Sequence, residues 1–212
     1  VTSPLAALLD GAAAGRFPPP DGTVTIMPQP SPRDLGVLAF TAHSVIFADI
    51  DPAWIRDQLE PEDLSSPVRP PFLEAISAKT GRPADGVDML CLATARPGPP
   101  PIELTPTQAR DHPRVARACR FRDDVRTWEV PGAVLTLGRG VAGRWEVAVE
   151  LDEARRGRGL GRALAAAARH LVPGGAPLWA QITPGNAASV RAFLAAGYQP
   201  VGAEVLFLAN YH

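Results

Sequence analysis

Nineteen of the 24 prolines in this sequence lie at or before Pro113, and only five follow it. Proline fixes φ and donates no main-chain hydrogen bond, so the first half can hold only short elements parted by irregular chain. The second half is free to build longer helices and strands. Charge divides at nearly the same place. Residues 1–104 carry 7 Lys+Arg and 13 Asp+Glu, a net of −6, and residues 105–212 carry 14 and 9, a net of +5, inside a total of −1. The expected organisation is a Pro-rich N-terminal α/β region over residues 1–103 and a second domain over residues 104–212. Residues 96–101 (Arg-Pro-Gly-Pro-Pro-Pro) read as the linker between them.

At 46% hydrophobic and 20% charged residues, the chain has the composition of a globular protein with a buried core. The near-neutral total excludes an acidic disordered tail and a polybasic nucleic-acid binder. Arg110, Arg114, Arg117, Arg120, Arg122 and Arg126 are interleaved with Asp111, Asp123 and Asp124, the pattern of a solvated helix face, so no nucleic-acid partner is expected. Cys91 and Cys119 have neither metal-site spacing nor a partner framework, and no metal is expected. The apolar stretch at residues 5–9 is interrupted by Asp10 and too short for a signal peptide or a span, which points to a cytoplasmic protein without a membrane partner.

In the first half, residues 23–27 and 44–50 read as strands. Asp51 and Pro52 open a helix to residue 59, and a second runs over 71–79 to Gly81. Residues 89–93 form a buried strand or short helix. His43, Asp49 and Asp51 are explained by ordinary hydrogen bonding and capping, and no chemistry stands out here.

Past the linker the pattern becomes regular. A helix is expected over 113–121, and a hairpin over 124–130 and 133–137 closed by Pro131-Gly132. A third strand covers 145–151, with Val147, Val149 and Leu151 on one face and Glu146, Ala148 and Glu150 on the other. It leads into Arg155-Arg156-Gly157-Arg158-Gly159-Leu160-Gly161-Arg162 and then into an alanine-rich helix. A glycine-rich turn at a helix start presents unpaired main-chain N–H groups, and the helix dipole adds positive potential. That combination is an anion cradle suited to a diphosphate, and Arg155, Arg156, Arg158 and Arg162 strengthen it. Gly157, Gly159 and Gly161 do not fit the G-x-G-x-x-G dinucleotide spacing, and no Gly-Lys-Ser/Thr is present.

The segment from Arg156 to Gly161 resembles the R/Q-x-x-G-x-G/A loop of the GNAT superfamily of N-acetyltransferases, with Arg156, Gly159 and Gly161 at its defining positions. Downstream, Asn186, Ser189, Gly197 and Tyr198 are similar in spacing to that family's N-x-x-A/S…Y-x-x-x-G-F/Y segment, and a closing strand at 205–208 fits as well. The resemblance covers residues 124–208. It implies a mixed, mostly antiparallel α/β (α+β) fold with flanking helices, and acetyl-CoA bound where two neighbouring parallel strands splay apart. By position, Val149 and Leu151 would pair with the pantetheine arm. Arg156, Gly157, Arg158, Gly159, Leu160, Gly161 and Arg162 would wrap the pyrophosphate, and Asn186 and Phe193 would contact the cofactor from the next helix.

The function so implied is transfer of an acetyl group from acetyl-CoA to a primary amine of a small molecule or peptide. The alternative is a non-catalytic acyl-CoA-binding regulatory module, and a homodimer is left open. Transfer needs a group that accepts the amine's proton. Glu146 and Glu150 are the candidate bases, with Glu146 preferred as nearer the acetyl end, and an apolar setting would raise its pKa. Gln181 can orient a substrate. The family's tyrosine proton donor falls on Phe193, which has no hydroxyl, leaving water, Tyr198 or Tyr211 to supply the proton.

Overall fold

The computed structural model describes residues 3–209. The chain forms two compact units, one of residues up to Met89 together with those from Val201, the other Leu90–Pro200. In the first, Ser3 accepts from the Ala6 N–H and caps α1 (Pro4–Ala13), which buries Leu5, Leu9 and Ala12. Then follow β1 (Val24–Met27), β2 (Gly36–Phe40), β3 (His43–Phe47), α2 (Pro52–Asp57) and α3 (Pro70–Thr80). Asp51 caps α2 ahead of Pro52, and Gly81, at φ 69°, ends α3, as the sequence indicates.

The second unit takes in most of β4 (Asp88–Ala93), then β5 (Thr105–Thr107), α4 (Pro113–Phe121), β6 (Asp123–Val130), β7 (Ala133–Arg139), β8 (Trp145–Leu151), α5 (Leu160–Leu171), β9 (Leu178–Ile182) and α6 (Ala187–Ala195). Its strands lie in the order β4-β9-β8-β7-β6-β5. The pairs from β5 to β8 are antiparallel, and β8/β9 is parallel. Helix α4 packs on β6, β7 and β8, and α5 packs on β8, β7 and α6. The architecture is therefore a mixed α/β fold with mostly antiparallel strands flanked by helices.

The final strand, β10 (Gln199–Leu206), begins earlier than expected and returns to the first unit, pairing Ala203 with Ala39 and Leu206 with Gly36. There the strands run β1-β3-β2-β10, with β1/β3 parallel. Strand β2 and helix α1 were not apparent in the sequence. Strand β2 is buried nearly throughout and has no polar/apolar alternation to read; Gly36 is required because a Cβ there would strike the Val205 carbonyl and the Phe47 ring. A compact cluster of Val37, Ile46, Ile55, Phe72, Ile76 and Phe207 makes this unit's core.

The division at 103/104 read from proline density differs from these boundaries, for a local reason. The proline-rich run at 96–101 is fastened within the second unit rather than left as a linker. Arg96 N–H donates to the Arg169 carbonyl (2.7 Å), Arg169 Nε donates to the Thr94 carbonyl (2.8 Å), and His170 Nδ1 lies 3.1 Å from the carbonyls of Pro97 and Gly98.

Candidate functional site

Strand β8 is paired along its whole length on one side, from Ala133↔Leu151 to Arg139↔Trp145 in β7. On the other side β9 pairs only at Trp145↔Leu178 and Glu146↔Trp179. Both strands continue beyond that point without further pairing to each other among the described residues. The result is a fork, closed at Glu146 and open from Val147 to Leu151. Its open limb presents main-chain groups that an extended ligand can pair with, as a strand would. Val149 and Leu151 lie on that limb.

The limb leads directly to the glycine-rich loop. Gly157 (φ 73°) and Gly159 (φ 80°) are left-handed, and a Cβ on either would meet only open space. Glycine is needed there for backbone conformation. Gly159 is the N-cap of α5 and has no side chain to offer, so the first N–H groups of this 12-residue helix have no side-chain cap. Arg156, Arg158 and Arg162 are exposed around it, and Leu160 is half-buried. Gly161 faces Leu151 and Ala192 of α6 at ordinary contact distance. The structure thus brings the loop, the end of β8 and α6 together.

Asn186 Oδ1 accepts from the Ser189 N–H at 3.1 Å and caps α6. Phe193 is buried, its ring 4.9 Å from that of Tyr198 in an edge-to-face contact. Tyr198 is 2% exposed, and its hydroxyl donates to the Ala165 carbonyl of α5 (3.1 Å). Burial pushes its pKa well above the usual phenol range, so this hydroxyl stays protonated and committed to α5. Tyr211 lies outside the described residues.

The two candidate carboxylates differ sharply. Glu146, 3% exposed, sits at the last paired position of the fork. Its Oε2 accepts from Arg122 Nε (2.9 Å), and its Oε1 accepts from Arg144 Nε (2.9 Å), Gln181 Nε2 (3.0 Å) and the Val141 N–H (3.2 Å). Gly140 makes the arrangement possible, because a Cβ there would overlap the Glu146 carboxylate; at Gly138 a Cβ would crowd Arg122. Burial opposes the charge most strongly, but the guanidiniums of Arg144 and Arg122 and their hydrogen bonds outweigh it, and the pKa is lowered. The expectation of a raised pKa is therefore corrected. The site is buried, but it is not apolar. A carboxylate so satisfied is a structural anchor joining the end of α4, the 140–141 turn and β9.

Glu150 projects from the same face of β8 four residues further on, on the open limb of the fork. Its side chain is 41% exposed, and its Oε2 accepts from Arg114 Nε of α4 at 2.8 Å. Sequence reasoning missed Arg114, Arg122 and Arg144 as partners. The available signal was the doublet Gly138 and Gly140 beside a strand-borne glutamate.

No family model matches the chain, and no curated protein matches it. Solved structures do. A GCN5-related N-acetyltransferase from Kribbella flavida is 19% identical, with 67% of this chain and 65% of that one covered and a TM-score of 0.42. The chain is similar to GNAT acetyltransferases of known structure. A GNAT-family acetyltransferase from Novosphingobium aromaticivorans is 18% identical over 63% of this chain and 69% of that one, with a TM-score of 0.39. One from Colwellia psychrerythraea is 10% identical over 83% and 81%, with a TM-score of 0.42. This chain thus spans slightly less than two thirds of the Kribbella protein. Among the described residues no group of His, Cys, Asp or Glu could hold a metal ion, and no helix is long and apolar enough to cross a membrane.

Proposed function

We propose that the chain is an N-acetyltransferase that moves the acetyl group of acetyl-CoA to a primary amine, using the second unit. The observation that carries this reading is the β8/β9 fork running into an uncapped helix N-terminus through left-handed glycines. An acyl-CoA needs both a main-chain edge for an extended amide-bearing arm and an anion cradle for a diphosphate, in that order. Val149 and Leu151 would pair with the arm, and the main chain of residues 157–162 would hold the diphosphate, with Arg156, Arg158 and Arg162 adding charge. Acetyl-CoA would supply the activated acyl group as a thioester.

The chain's own part is to bind, orient and accept a proton. The amine's nitrogen forms the C–N bond to the acetyl carbon as the C–S bond breaks. Its proton passes to Glu150, the accessible carboxylate on this face, directly or through water. Phe193 has no proton to give, and Tyr198 is locked on Ala165, so solvent reprotonates the sulfur. Glu146 holds the fork closed at one end.

Titration calorimetry with acetyl-CoA tests the reading: the natural protein binds, and Gly159→Asp, which places bulk and negative charge in the cradle, does not. Absence of binding by the natural protein removes the proposal. Phe193 and the committed Tyr198 favour a second reading, an acyl-CoA-binding module without catalysis. Release of free thiol in the presence of an amine panel separates the two.

A further inference from the structure

Glu150 is already occupied by a positive charge. Arg114 lies in the first turn of α4, and its guanidinium donates to Glu150 from a position 36% exposed. Exposed pairs of this kind are worth about 0–1 kcal/mol, so groups from solution can exchange into them. The neighbouring Arg122–Glu146 pair is different, with side chains 13% and 4% exposed. A cationic amine arriving alone would have to displace Arg114 and leave its guanidinium uncompensated. An acceptor with both signs of charge exchanges like for like: its ammonium takes Arg114's place at Glu150, and its anion takes Glu150's place at Arg114. The surrounding charge has the same bias. Residues 110–122 hold five arginines against the single acid Asp111.

Resting on the acetyltransferase reading above, we propose that the acceptor is a primary amine that also carries an anionic group, a carboxylate or a phosphate, and that Arg114 selects it. The ammonium loses one proton to solvent before it reacts; as the neutral nitrogen takes the acetyl group its second proton passes to Glu150, solvent protonates the departing thiolate, and the anion stays on Arg114 and holds the nitrogen over the fork.

The test compares initial rates of thiol release from acetyl-CoA with β-alanine against β-alaninamide, and with phosphoethanolamine against ethanolamine. In the natural protein kcat/KM favours the anionic member of at least one pair by about two- to fivefold, the scale of an exposed ion pair. The pair that shows it identifies the anion. Arg114→Gln brings the ratio close to one, chiefly through KM of the anionic member, and Arg114→Lys restores part of it. Equal rates within both pairs, a ratio unmoved by Arg114→Gln, or no transfer to any of the four overturns the proposal. Calorimetry with acetyl-CoA on the same preparations separates the levels: binding without discrimination removes only the acceptor assignment, whereas no binding removes the acetyltransferase reading with it.

Discussion

Glu146 and Glu150 occupy equivalent positions on one face of one strand, four residues apart, yet they belong to different regions of the molecule. At the closed end of the fork, Glu146 is walled in by two guanidiniums, an amide and a main-chain N–H. At the open end, Glu150 is 41% exposed and pairs with the half-exposed Arg114. The strand gives both the same direction. What separates them is where β9 stops pairing: where the ladder persists the carboxylate is part of the frame, and where it ends the carboxylate stays half-exposed.

The largest expected effect breaks the closed end. Glu146→Gln leaves the buried guanidiniums of Arg122 and Arg144 without their counter-charge, a loss of about 3–5 kcal/mol. Denaturant unfolding of the purified variant measures it. A loss below about 1 kcal/mol would mean that Glu146 is not an anchor.

The open end should respond in the opposite sense. Glu150→Gln removes only a half-exposed ion pair, so stability changes by less than about 1 kcal/mol. Turnover should fall by about 10²–10⁴-fold if Glu150 accepts the proton, with acetyl-CoA affinity retained. Steady-state rates beside calorimetry check this. If Glu150→Gln keeps full turnover, the proton goes elsewhere and the contrast between the two ends has no catalytic meaning.

Gly140→Ala probes the closed end more gently. The new Cβ would overlap the Glu146 carboxylate and force the network apart, at about 1–3 kcal/mol, the range for overpacking a tight site. An alanine at Gly143, whose Cβ would meet nothing within contact distance, serves as the steric control, its φ of 79° adding a separate backbone cost.

Much of the open end was legible in the sequence. The alternation from Trp145 to Leu151 and the glycines at 157, 159 and 161 set a strand, a loop and a helix start in series, and local chain geometry decides all three. Partners from distant segments were not legible. Gly138 and Gly140 signal crowding beside Glu146, but they do not identify the partners as Arg122, which arrives from the end of α4, or Gln181, which arrives across the fork. Gly197 shows the same limit. It fits a spacing pattern, but its need comes from φ 88° and from Arg169, whose Nη1 would lie 2.5 Å from a Cβ there. The proline-rich run misled for a related reason: proline density reports irregular backbone, and the hydrogen bonds from Arg96 and Arg169 decide whether that backbone is loose or strapped down.

The smallest expected effect is a shift in acid sensitivity. The folded-state pKa of Glu146 is depressed below its ordinary value of 4.5, with burial opposing the shift and Arg144 and Arg122 producing it. A depressed carboxyl pKa contributes stability that is present above the unfolded value and is lost as pH falls through the folded value. Arg122→Gln removes one of the two cations but leaves burial in place, so the folded pKa rises towards or past the unfolded one. The variant should therefore lose its stability increment at neutral pH and begin to unfold in acid at a higher pH than the natural protein. Stability against urea, measured between neutral pH and pH 3 for the variant and the natural protein, reads the shift. Coincident acid limbs for Arg122→Gln and the natural protein would show that Arg144 alone holds the Glu146 charge, and that the closed end depends on one cation rather than two.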